Sequence, residues 1–105
     1  MFNINEIVAQ MLAAIKGSVG ENWPLVKATM NEFISNRKAR LELLADFRIK
    51  NLITQEDFDS RLEDEKSLLD SELHAVAIIT KSIAQQAANA AITVLQNAVA
   101  AAIHL

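Results

Sequence analysis

The residues Asn51-Leu-Ile-Thr54, followed by Gln55-Glu56-Asp57, form a turn signal at the midpoint of a chain of 105 residues that otherwise reads as helix. Helix on both sides of one central break predicts a hairpin running the length of the molecule. Two helices in such a hairpin leave much of their apolar surface uncovered, so the pattern predicts a working unit of several chains.

From Ile4 to Lys16 the residues Ile4, Ile7, Val8, Met11, Leu12 and Ile15 recur at three- and four-residue spacing, which gathers them on one helical face. This predicts a short helix over 4–16, capped by Asn3 or Asn5 and ended by Gly17. Both glycines and the single proline fall within 17–24, making 17–23 a joint, with Asn22 as the N-cap of a second helix over 24–50 and Pro24 in its first turn. Basic residues thicken toward the end of that helix, where they suit the negative end of its dipole.

The turn over 51–54 places Asn51 at a helix C-cap and Thr54 at an N-cap, with Glu56 and Asp57 in the first turn, where acids oppose the positive dipole end. From Gln55 onward there is neither glycine nor proline, and the apolar spacing resembles the a and d positions of a coiled coil. One helix over 55–103 is the simplest reading. A helix of that length spans roughly 75 Å and needs a partner along its whole length.

Pairing the two arms about the turn sets Arg48 beside Asp57 and Arg40 beside Asp64 or Glu65. It also sets helix one beside residues 89–101 if helix one continues the line of helix two. The alternative is that helix one folds back on helix three, giving a three-helix monomer that would hide part of the surface otherwise free for assembly. Residues 82–105 carry no charge, whereas the turn end is densely charged.

The fold class expected is therefore all-α: a long antiparallel hairpin with a short N-terminal helix, forming an oligomeric bundle. Its expected interface is Leu69, Leu73, Val76, Ile83, Ala87, Ala90, Val94 and Asn97. Asn97 falls at a heptad core position, where a buried amide commonly fixes register.

The stretch Arg40-Leu-Glu-Leu-Leu-Ala-Asp-Phe-Arg-Ile-Lys-Asn-Leu-Ile-Thr54, with Gln-Glu-Asp-Phe58 and Leu62 through Leu69, resembles the short C-terminal domain family, SHOCT. In that family a helix ends at a glycine, a Leu-Ile-Thr turn follows, and an acidic-Phe pair opens the next helix. Asn51 stands at the glycine position, and asparagine tolerates the left-handed conformation. The family motif usually closes a chain and carries paired lysines after the Phe; here it is central and reads Asp59-Ser60-Arg61-Leu62. The resemblance implies an interaction or oligomerisation hairpin without enzyme activity.

Composition narrows the function classes. A net charge of −3 argues against general nucleic-acid binding, which requires a basic face to neutralise phosphates. Without cysteine there is no disulfide framework, thiolate nucleophile or Cys-type zinc site, and the N-terminus lacks the basic and apolar regions of a secretory signal. A cytoplasmic location fits.

Asp70 and His74 lie at i and i+4, but a bundle metal centre needs further inward carboxylates, and a solvated pair is the plainer reading. Glu63, Asp64 and Glu65 read as a solvated face paired to Arg61 and Lys66, and Trp23 as a corner plug. No cofactor, metal or catalytic residue is expected.

The uncharged tail is long enough to cross a bilayer, yet Gln85, Gln86, Asn89, Gln96 and Asn97 would be costly in lipid. The expected function is a homo-oligomeric scaffold or protein-interaction module, at least dimeric, whose charged turn end is free to meet another protein. The alternative is a membrane-active helical protein inserting residues 1–20 and 82–105.

Overall fold

A computed structural model describes residues 2–76 and 78–104; Met1, Ala77 and Leu105, which belong to the predicted apolar ends and long helix, lie outside the described residues. Among the described residues there are four α-helices and no strand: α1 (Ile4–Val19), α2 (Trp23–Ile49), α3 (Gln55–His74) and α4 (Lys81–Ile103).

Helix α1 opens at Asn3, whose Oδ1 accepts from the amides of Asn5 and Glu6 at 3.0 and 3.2 Å. Gly17 does not end it. The helix runs on until Val19 is buried, and Gly20 stops it by adopting φ 58° and ψ −124°, a backbone region that only glycine enters readily. A single 3-10 turn, Gly20–Asn22, then leads straight into α2. Because Asn22 is itself in a helical conformation, its side chain makes no capping bond, contrary to the cap expected there.

The end of α2 is a Schellman motif. The amide of Leu52 donates to the Phe47 carbonyl at 2.7 Å and that of Asn51 to Arg48 at 3.1 Å, with Asn51 left-handed at φ 60°. Arg48 fastens the turn from outside, its Nε donating to Gln55 Oε1 at 2.9 Å. Thr54 caps α3 by accepting from the Asp57 amide at 3.1 Å.

The long helix expected over 55–103 is two helices. Residues 75–76 and 78–80 leave the helical path, and Thr80 caps α4 by accepting from the Ile83 amide at 3.2 Å. No glycine or proline marks this break. Ile78-Ile79-Thr80 repeats the form of Leu52-Ile53-Thr54: an apolar residue, then an isoleucine whose β-branch loses rotamer freedom in a helix, then a threonine that offers its hydroxyl to the third amide ahead. The two threonines share nearly one conformation, φ −74° with ψ 161° at Thr54 and 158° at Thr80.

With two turns and a break, the chain closes on itself. Helix α1 folds back along α2, as the Lys38 to Asn5 hydrogen bond shows, so helix one does not extend a rod. Each helix packs on the next, α4 returns against α1 in the most extensive pairing of the fold, and α1 and α3 sit diagonally with no close backbone approach. The molecule measures 40 × 23 × 20 Å, its long axis set by the 27 residues of α2 at about 1.5 Å each.

The core runs along the centre of this ring, with Ile15, Val26, Met30, Leu62, Leu73 and Leu95 fully buried. In α4 the inward positions are small: Ala84, Ala87, Ala88 and Ala91 are wholly enclosed, which lets its neighbours approach closely. The amides of Gln85, Gln86, Asn89 and Asn97 face solvent on the opposite side, so the uncharged tail is an amphipathic helix with a neutral polar stripe. None of the described helices is long and apolar enough to cross a membrane.

Candidate interaction face on α2 and α3

The residues expected to form an oligomer interface are largely spent inside the chain. Leu69, Leu73 and Ala87 are buried in the core, Val76, Ile83 and Val94 are half-buried against it, and Ala90 is half-buried. Asn97 is exposed. The heptad reading rotated α4 away from its real inward face, which centres on Ala84, Ala88, Ala91, Leu95 and Val99. The break at 75–80 supplies the reason: once α4 folds back, α1 and α3 cover the surface that a lone long helix would have offered to another copy.

Uncovered apolar side chains lie elsewhere. Residues 25, 29, 32, 36, 40, 43 and 47 follow an unbroken three- and four-residue spacing along one edge of α2, and Leu25, Leu43 and Phe47 on that edge are exposed, Leu43 by 50%. Two observations show that the edge faces α3. Arg40 Nε donates to Glu65 of α3 at 2.9 Å, and Thr29, Glu32 and Asn36 line one depression with Glu72 of α3. On α3, Leu68 lies three residues from Glu65 and four from Glu72, and is 45% exposed. At the turn, the Leu52 amide donates to the Phe47 carbonyl and the Leu52 side chain is exposed.

Of the six large exposed apolar side chains among the described residues, Leu43, Phe47, Leu52 and Leu68 therefore lie about the α2–α3 seam and its turn, Leu25 stands at the start of the same α2 edge, and Ile78 lies apart at the bend before α4. Exposed apolar residues scattered singly call for no explanation, but their gathering on one face does.

Charge is divided across the same seam. Helix α2 carries five basic and three acidic residues, and α3 carries eight acidic and two basic. At its centre Glu65, 4% exposed, receives Arg37 through Nε and Nη2, one bond to each carboxylate oxygen, together with Arg40. The hydrogen bond to Glu65 holds the Arg37 guanidinium above its ordinary pKa against the opposing effect of burial. Planar guanidinium against planar carboxylate is the strong form of such a bond. Glu65 is thus no part of a solvated acidic face: Lys66 pairs with Glu63 at 2.8 Å and Arg61 with Asp57 at 3.6 Å, while Glu65 turns inward to tie α3 to α2. Of the two cross-seam pairings expected, Arg40 with Glu65 forms. Arg48 turns to Gln55 in place of Asp57.

The turn residues Asn51 and Thr54, with Asp57, line an open depression together with Leu52, Ile53, Glu56 and Ser60. Its walls are caps and turn backbone engaged in holding the two helices. Trp23 is half-buried against the core, as a corner plug. Asp70 is half-buried and His74 exposed, and no group of three or more potential ligating side chains converges among the described residues.

Sequence reasoning missed the face because it turned Phe33 and Phe47 toward a partner together with Val26, Met30, Ile34, Leu41 and Leu44, and gave Leu25 and Leu43 no side. The available signal was that Phe33, Leu43 and Phe47 depart from the spacing of Val26, Met30, Ile34, Leu41 and Leu44. Comparison with family models, curated proteins and solved structures finds no match to the chain.

Proposed function

We propose that this chain is a non-catalytic helical module that works by binding protein through the face formed by α2, α3 and their turn. The observation that carries the reading is the concentration of uncovered leucine and phenylalanine there, while among the described residues the other large apolar side chains, Ile78 apart, are buried or half-buried. A rim of fixed charge surrounds the patch, the usual composition of a surface that buries an apolar centre against a partner. The likeness of residues 40–69 to the SHOCT hairpin points the same way, since those residues supply most of the face.

A photo-crosslinking residue at position 47, compared in cells with one at the exposed Thr93 of α4, tests the proposal. Discrete protein adducts from position 47 and none from 93 are expected. Identical patterns from both positions, or none from position 47, would refute the assignment of the face.

A further inference from the structure

Resting on that reading, we infer that the occupant of the face is a second copy of the same chain, set against it about a two-fold axis parallel to the helices. The grounds are the segregation of charge between α2 and α3. A two-fold axis lying in the contact plane and parallel to the helices brings α2 of one copy over α3 of the other while keeping each residue at its own level along the bundle. The net basic helix of each copy then lies on the net acidic helix of its mate. The perpendicular axis would lay α2 on α2 and α3 on α3, repelling at both contacts.

The level of each residue limits the contact to the turn half of the face. Lys50, at the end of α2, lies level with the first turn of α3 and so approaches Asp57 of the mate. Arg40, level with Glu65 in its own chain, approaches the mate's exposed Asp64. Leu43, Phe47 and Leu52 fill the space between these charges. At the far half, Glu32 and Glu72 already share one depression within a chain, and a second copy would add two more carboxylates there. The two copies therefore meet near the turn and splay apart toward Leu25.

The test is sedimentation equilibrium across about 1 μM to about 1 mM, the range in which a contact of this modest size would associate. Two chains of 11.6 kDa per particle are expected at the upper end. Phe47→Glu should give a monomer that keeps the helical circular dichroism of the native chain. Lys50→Glu and Asp57→Lys should each weaken the dimer about tenfold, because symmetry removes two charge pairs at once, and combining them should restore it.

A dimer indifferent to Phe47→Glu, or singles not rescued by the combination, would overturn this arrangement. A monomer at every concentration would overturn self-association itself. The crosslinking from position 47 then decides separately whether the face serves a different protein, through adducts heavier or lighter than two copies.

Discussion

Changing Glu65→Gln removes the charge at the centre of the α2–α3 seam while keeping the shape of the side chain. Glu65 is 4% exposed and accepts three N–H bonds, two from Arg37 and one from Arg40. The Arg37 side chain is 29% exposed and bidentate, so its contribution is that of bonds to a charged group, about 1.5–3 kcal/mol. Arg40 is 52% exposed, and its pair is screened by water to about 0.2–1 kcal/mol.

Glutamine retains one accepting oxygen but turns an N–H donor toward a guanidinium. The net loss should be about 2–3 kcal/mol. In a domain of this size that lowers the melting temperature by about 10 °C. Thermal denaturation followed by circular dichroism measures the fall, and double-mutant cycles with Arg37→Met and Arg40→Met apportion it. Coupling to Arg37 should exceed coupling to Arg40 by about 1 kcal/mol. A fall of less than about 2 °C, or equal couplings to the two arginines, would refute the account of Glu65 as the buried tie between α2 and α3.

Two further substitutions probe the turns and the rotation of α4. Gly20→Ala should lower stability by about 1–3 kcal/mol in chemical denaturation through backbone conformation alone, since an added Cβ meets no atom within 4 Å. Asn97→Leu should leave the melting temperature nearly unchanged because Asn97 is exposed, whereas Ala91→Leu, fully enclosed, should cost about 1–3 kcal/mol by overpacking. A large effect at Asn97 would restore the heptad face that the structure rotates away.

The contrast between the two interhelical turns explains how much could be read in advance. At 51–54 a left-handed asparagine, a capping threonine and an acidic first turn act together, and the turn forms as expected. At 78–80 the same apolar-Ile-Thr sequence caps the equivalent amide, but Ala75 at the C-cap of α3 is right-handed and no acid opens α4. Periodicity runs through the break almost undisturbed, because a helix that reverses can still place its next apolar residues inward. What decides the matter is tertiary: Ile79 gains burial at the bend, and α4 gains α1 as a neighbour.

Glu65 shows the same limit from the other side. Its neighbours Glu63 and Asp64 are exposed, and only the register between α2 and α3 distinguishes it from them. That register could be anticipated from the turn, which is why the pairing with Arg40 was legible while the burial was not.

Phe2, Asn3 and Glu6 share a shallow cleft with Ala98, Ala101 and Ala102, so the chain enters and leaves the bundle at one place. A protein built this way can be spliced into a surface loop of a host with little distortion of either, since the gap to be bridged is a few residues wide. The same closeness makes a circular permutant feasible, with the old ends joined by a short linker and new ends opened near Ile78. Any chain attached to either end would depart from the α1–α4 side of the bundle, across from the α2–α3 face, and would leave the proposed contact clear.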